Sequence, residues 1–125
     1  MKKVVINECH GGFSLSDEAC EWLLANRGWS ATTYTDAGNY DNPYADFAVA
    51  KDSSFGSKYY PVRRSYQDAD FRCDPVVVEI VEILGEKANG QFAKLKIVEI
   101  PEDVEFEIQE YDGLEHVAEK HRTWL

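Results

Sequence analysis

Three arginines stand close together in an otherwise acidic chain, beside two aromatic residues, Tyr66 and Phe71. A guanidinium holds a phosphate or carboxylate through two parallel hydrogen bonds, and an aromatic ring stacks on a nucleotide base. The pattern therefore predicts a site for a small anionic ligand, built on Arg63, Arg64 and Arg72. The alternative is that these arginines pair on the surface with neighbouring carboxylates: Asp68, Asp70 and Asp74.

A second candidate for anion binding is the segment NECHGGFS, residues 7–14, where an apolar strand meets two glycines before a helix. Backbone N–H groups at a helix N-terminus attract an anion, and glycines allow it to approach the chain. The segment is neither a Walker A loop nor a dinucleotide fingerprint. Its candidate binding residues are Asn7, His10, Gly11, Gly12, Phe13 and Ser14, with Phe13 stacking on a base. The alternative is a tight strand-to-helix connection with Phe13 in the core.

Catalytic chemistry has weaker support in the sequence. Cys9 and His10 are neighbours in a strand, so their side chains point to opposite faces and are poorly placed to act as a pair. His10 alone leaves open a general acid–base role in a small hydrolase or transferase. The spacing of His10, His116 and His121 is not that of metal ligands, and we predict neither a metal nor a cofactor.

The segment HRTW, residues 121–124, combines two potentially charged side chains with a tryptophan. We expect it to dock against the sheet or against another subunit. Its His121 and Arg122 are also candidate ligand-binding residues. A ligand site shared between subunits, and with it a homo-oligomer, is compatible with so small a chain.

The composition limits the classes of function. The chain has 125 residues, 44% of them hydrophobic and 13% aromatic, which is typical of a single globular domain over residues 1–125. Its formal net charge of −10 argues against a surface that binds nucleic acid. Three cysteines without metal-type spacing are typical of a reduced cytosolic protein. Neither a signal peptide nor a membrane-spanning run is predicted.

Local patterns place these residues on particular elements. A β-branched strand covers residues 3–6, and a helix covers residues 17–26 with Ser16 as its N-cap. Residues 29–70 are rich in tyrosine and weakly periodic, which predicts a long loop or insertion. A second helix begins at Asp74-Pro75, with Asp at the N-cap and Pro at the first helical position.

The second half of the chain alternates between apolar and polar residues, which predicts strands over residues 92–100 and 104–109. Asp112-Gly113 is a strong hairpin turn pattern, and Leu114 to Thr123 should return antiparallel. The fold class that follows is α+β: a mostly antiparallel sheet with two helices on one face and a C-terminal β-hairpin. The hairpin is acidic, and its carboxylates read as a solvated face: Glu99, Glu102, Asp103, Glu105, Glu107, Glu110 and Asp112.

Several motifs resemble those of a family of small bacteriophage-encoded proteins. They are CHGGFSLS near the N-terminus, an Asp-Pro helix ending in Leu-Gly, LKIVEIP, EYDG and HRTW. The resemblance covers residues 3–19 and 72–124 and leaves the middle of the chain uncovered. It implies a phage or prophage origin and a location in the cytoplasm of the bacterial host, and it implies no reaction.

These observations together predict a non-catalytic phage accessory protein that sequesters a nucleotide-type signalling molecule and so counters host defence. Arg63, Arg64, Arg72 and the Gly-Gly turn would hold phosphates. The second hypothesis is an acidic protein-binding inhibitor or modulator of a host enzyme, suggested by the charge and the acidic hairpin. The third is a small hydrolase or transferase that uses His10.

Overall fold

The computed structural model describes residues 2–33, 40–49 and 58–119. The helices in these ranges are α1 (Asp17–Asn26), α2 (Ala69–Cys73) and α3 (Pro75–Leu84), and a 3-10 turn follows at Gly85–Ala88. The strands are β1 (Lys2–Asn7), β2 (Ala31–Thr32), β3 (Phe47–Val49), β4 (Tyr59–Pro61), β5 (Leu95–Ile100), β6 (Phe106–Tyr111) and β7 (Leu114–Glu119). The predicted α+β class is confirmed.

The two predicted helices begin where their capping residues place them. The Ser16 hydroxyl accepts a hydrogen bond from the Ala19 amide at 3.1 Å, which satisfies one of the open donors of α1. The Asp74 carboxylate accepts from the Val76 amide at 2.8 Å, and Pro75 fills the first position of α3. In the part of the chain that is described, no helix has the length and hydropathy needed to cross a bilayer.

The described strands form three separate small sheets rather than one. Strands β1 and β5 pair antiparallel, and β6 pairs antiparallel with β7. The third sheet joins β2 parallel to β3 and β3 antiparallel to β4. This three-stranded sheet and the start of α2 lie within the stretch 29–70 that was predicted as a long loop or insertion, of which residues 34–39 and 50–57 fall outside the described ranges. Strands this short carry too little periodicity to be read from the sequence.

The β6–β7 hairpin has the turn that its sequence predicts. Asp112 and Gly113 have φ values of 52° and 90°, which is the left-handed pair of a type I′ turn. Strand β7 is the hairpin strand that packs along β1, and Lys2 at the start of β1 also reaches the Phe106 ring of β6. The spatial order is therefore β5, β1, β7 and β6, although no backbone ladder joins β1 to β7.

A connected set of aromatic rings fills the centre of the molecule. Phe13 and Phe71 each pack edge-on against Tyr66, with centroid distances of 5.4 and 5.3 Å. Phe71 also contacts Trp29 at 6.1 Å, and Trp29 contacts Phe47 at 5.5 Å. In the middle segment, Phe47 thus belongs to the core and Trp29, Tyr59 and Tyr66 pack against it, whereas Tyr40 and Tyr44 are exposed.

The Cys20 thiol lies in this core in hydrogen-bond contact with Tyr66. Burial raises the pKa of the thiol from an ordinary 9.0 to about 12. Burial also raises the pKa of the Tyr66 phenol. Cys20 is therefore a protonated packing residue and not a nucleophile at neutral pH.

We expect the free energy of unfolding to fall as the pH rises above 9. The unfolded chain releases the Cys20 proton near pH 9.0, whereas the folded chain retains it up to about pH 12. The loss approaches about 1.4 kcal/mol per pH unit inside this window. Urea denaturation between pH 8 and 10 measures it. The Cys20→Ala variant should lose this part of the pH dependence, and an unchanged slope in that variant would contradict the assignment.

Candidate functional site

Arg72, predicted to hold a phosphate, is instead enclosed by the protein. Its side chain is 0% exposed. The guanidinium donates two parallel hydrogen bonds to Glu115, at 2.7 and 2.8 Å, and further bonds to the carbonyls of Val5 and Tyr66. Its Cζ lies 3.7 Å from the centroid of the Phe13 ring. This environment corrects the prediction: Arg72 is a structural residue whose guanidinium has no path to a ligand.

Glu115, the partner of Arg72, is not among the residues that the sequence pattern indicated. Its side chain is only 2% exposed. Its Oε1 accepts hydrogen bonds from the Asn7 backbone amide, at 2.7 Å, and from Arg72 Nη1, and its Oε2 accepts one from Arg72 Nη2. The Glu115 carboxylate thus accepts the hydrogen bond from β1 that a backbone carbonyl of β7 would accept if the two strands formed a ladder. The predicted hairpin register contained a signal for this burial. A two-residue turn places Glu115 on the same face as the apolar Val117, which is the face expected to pack on the body.

The Asn7 side chain is hydrogen-bonded to three backbone segments and is not accessible to a ligand. It is 0% exposed. Its amide nitrogen donates to the carbonyls of Cys9 and Gly113, and its oxygen accepts from the Lys94 amide at 2.8 Å. Asn7 therefore ties the strand end to the hairpin turn and to the start of β5, which corrects its predicted role in ligand binding.

The Gly11-Gly12 turn is covered by two other turns. A Cβ atom built on Gly11 would overlap the carbonyl of Phe92, and one built on Gly113 would overlap the backbone of His10 and Gly12. The turn is thus in direct contact with neighbouring chain on both sides. Close packing between backbones accounts for glycine at these positions.

The residues after the turn are also engaged by the fold. Phe13 is 7% exposed and lies between Arg72 and Tyr66, which favours its core alternative over stacking on a base. Ser14 packs closely against Gly90, and its carbonyl accepts from the Gly90 amide at 3.0 Å. Beyond them, the N-terminus of α1 is capped within the chain.

The two other arginines pair with carboxylates of this chain. Arg63 contacts Asp46 at 3.1 Å on the surface, and Arg64 contacts the helix-capping Asp74 at 2.9 Å. The Arg64 guanidinium also lies over Phe71, 5.3 Å from the ring centroid. The three arginines therefore do not converge on one cavity. The pairing of Arg64 with Asp74 is one of the alternatives predicted from the sequence.

His10 is exposed at the edge of the Gly-Gly turn, whereas His121 and Arg122 lie outside the described residues. Within residues 2–33, 40–49 and 58–119, no group of three or more His, Cys, Asp or Glu side chains is arranged to hold a metal ion. Two open clefts of about 330 and 380 Å³ flank α3, and neither is lined by a candidate residue.

The outward face of the hairpin is an exposed surface that combines apolar and polar side chains. We define it by the side chains that alternate away from the body, together with the turn: Glu107, Gln109, Tyr111, Asp112, Leu114 and His116. Tyr111 is 80% exposed and Leu114 is 38% exposed. The opposite face of the hairpin carries Phe106, which receives the Lys2 ammonium at 5.2 Å from its ring centroid, and the buried Glu115.

Comparisons with known protein families, with curated proteins and with solved structures find no match to this chain. The assignment of a function therefore depends on the residues themselves.

We expect Glu115→Gln to lower the free energy of unfolding by about 3–5 kcal/mol, because it leaves the Arg72 charge buried without a counterion. The amide oxygen of Gln still accepts from Asn7, so the loss reports the broken pair with Arg72, that is, its charge and one of its two hydrogen bonds. Glu119→Gln, an exposed change on the same strand, should cost less than about 0.5 kcal/mol. Urea denaturation measures both, and equal stabilities would show that the ion pair does not hold the hairpin.

We expect Gly11→Ala to destabilise the protein by about 1–3 kcal/mol, because the added methyl group meets the Phe92 backbone. His10→Ala, in the same turn but exposed, should cost less than about 0.5 kcal/mol. Thermal or urea denaturation distinguishes the two variants. A fully stable Gly11→Ala protein would mean that the turn is open and able to receive a ligand.

Proposed function

We propose that this chain is a non-catalytic binding protein and that the outward face of its β6–β7 hairpin binds a basic partner protein. One observation carries the proposal: two exposed apolar side chains, Tyr111 and Leu114, share the outward face of the hairpin with the exposed Glu107, next to the exposed turn residue Asp112. Other exposed carboxylates of the same region add to its negative charge: Asp103 and Glu105 before β6, and Glu110 on the inward face. Tyrosine is enriched in protein interfaces because it combines a large apolar surface with a polar end.

The attachment of the hairpin also supports a binding role. Its inner face is fixed by the buried Arg72–Glu115 pair, and its turn is packed against His10 and Gly12. Within the turn, the Glu110 carboxylate accepts from the Gly113 amide at 2.6 Å. A surface that is already ordered loses little conformational entropy on binding, which favours affinity.

The charge of the chain supports a basic partner. A net charge of −10 attracts a cationic protein from a distance and accelerates the encounter. The same charge repels nucleic acid and other acidic proteins. The resemblance to phage proteins favours a bacterial protein as the partner, which would be met in the cytoplasm of the host.

A nucleotide-type ligand has less support from the described residues. Its phosphate clamp required Arg63, Arg64 and Arg72, each of which pairs with a carboxylate of this chain. Turnover through His10 also has less support, because the Gly-Gly turn beside His10 is packed against neighbouring chain and the Cys20 thiol is buried in the core. Sequestration of a ligand that uses residues 120–125 stays a prediction.

The test is capture from bacterial lysate, identification of the retained protein, and titration of that protein in purified form. A hairpin variant, Glu105→Gln, Glu107→Gln and Asp112→Asn, removes three charges while the turn keeps a residue that accepts positive φ. We expect it to bind at least about tenfold more weakly than the wild type, a difference of about 1.4 kcal/mol. Binding by the wild type should weaken steeply as salt is added.

The matched control removes the same number of charges from exposed positions elsewhere: Glu18→Gln, Glu21→Gln and Glu86→Gln. Equal losses in the two variants would show that net charge alone, and not the hairpin, attracts the partner. Tight stoichiometric binding of a cyclic nucleotide or a cyclic ADP-ribose isomer in calorimetry would instead support the sequestration hypothesis.

A further inference from the structure

The hairpin register determines which backbone groups of β6 face away from β7. In a two-residue hairpin, the pair next to the turn exchanges hydrogen bonds, and pairs alternate from there. Tyr111 pairs with Leu114, so the amides of Tyr111, Gln109 and Glu107 are used within the hairpin. The N–H and C=O groups of Phe106, Ile108 and Glu110 therefore point to the outer edge of β6.

This outer edge is not covered by the described chain. Strand β7 lies on the side of the body, and β6 pairs only with β7 among the strands that are described. No backbone hydrogen bond of the described residues joins Phe106, Ile108 or Glu110 to a third strand. A row of such groups is a template for pairing with another extended chain.

The charges along the edge select the kind of chain that fits. Two copies of this protein, paired through β6, would bring their carboxylates at positions 105, 107 and 110 close together, and this repulsion opposes self-association. An extended segment with basic residues would instead be attracted to these carboxylates. The half-buried Phe106 and Ile108 side chains, on the other face of β6, offer apolar contact to the residues between the basic ones.

We propose that the partner binds by adding an extended segment to the outer edge of β6 as a further strand, with basic residues on the outward face and apolar residues on the inward face. This inference rests on the proposed function and specifies its mode of binding. Backbone hydrogen bonds supply affinity in such complexes, and alternate side chains supply specificity. The recognised chemistry is thus an alternating basic–apolar segment of about six to eight residues, the length that pairs with β6.

The experiment uses the full chain and an eight-residue peptide of alternating lysine and valine with blocked ends. Amide hydrogen exchange followed by NMR should show, without peptide, slow exchange at Glu107, Gln109 and Tyr111. With peptide, exchange at Phe106, Ile108 and Glu110 should slow by at least about tenfold, because these amides become hydrogen-bonded. A peptide of the same sequence with N-methylated central residues keeps its charge but loses its donors, and it should bind at least about tenfold more weakly.

Two protein variants distinguish the contribution of the β6 backbone edge to peptide binding from that of the Ile108 side chain. Ile108→Pro removes an outward amide without removing a hydrogen bond to β7, whereas Ile108→Ala removes only the side chain. We expect the proline variant to retain the hairpin, as shown by exchange at Gln109, and to lose peptide binding at least about fivefold relative to the alanine variant.

Three results would overturn strand addition. One is binding of both peptides with equal affinity and without protection of the three edge amides, in which case the proposed function survives if the hairpin carboxylates still determine partner affinity. The second is the absence of binding by the lysine–valine peptide. The third is self-association of the protein at low salt with protection of the same amides, which would assign the edge to a second copy.

Discussion

A guanidinium and a carboxylate meet in the interior of this protein with almost no exposure to solvent, and both halves of the molecule close around them. Withdrawing two such charges from water costs several kcal/mol per ion, so the pair survives only if its hydrogen-bonding groups are satisfied. Val5, Tyr66 and Asn7 supply the remaining bonds. Among the described residues, no buried side-chain nitrogen or oxygen lacks a partner. The pair therefore specifies one position of the hairpin relative to β1.

The hairpin consequently divides its side chains between two tasks. Glu115 and Phe106 on the inner face attach it to the body, and residues such as Tyr111 on the outer face are left for contact with other molecules. The arginines, whose spacing in the sequence resembles that of a ligand site, are likewise used within the fold. Arg72 is committed to the interior, and Arg64 stabilises the start of α3 through Asp74. Exposed acidity, rather than a basic pocket, distinguishes the described surface.

The elements that were predicted correctly depend on neighbours in the sequence. Ser16, the Asp74-Pro75 pair and the Asp112-Gly113 turn act within a few residues of themselves, so their chemistry can be read directly. The role of Arg72 could not be read in this way, because its partner lies 43 residues away and either a ligand or a carboxylate satisfies a guanidinium. The turn at Gly11 was ambiguous for the same reason. Only the fold shows that Phe92 and Gly113 cover it.

The distance along the chain between the members of the buried network has a consequence for how the protein is made. Glu115 follows Arg72 by 43 residues and Asn7 by 108. During synthesis, β1 and α2 leave the ribosome well before the carboxylate that they need. Until it arrives, enclosing Arg72 would bury an uncompensated charge, so the nascent interior must stay hydrated. Closure of the core around Arg72 therefore requires the C-terminal hairpin to be in place.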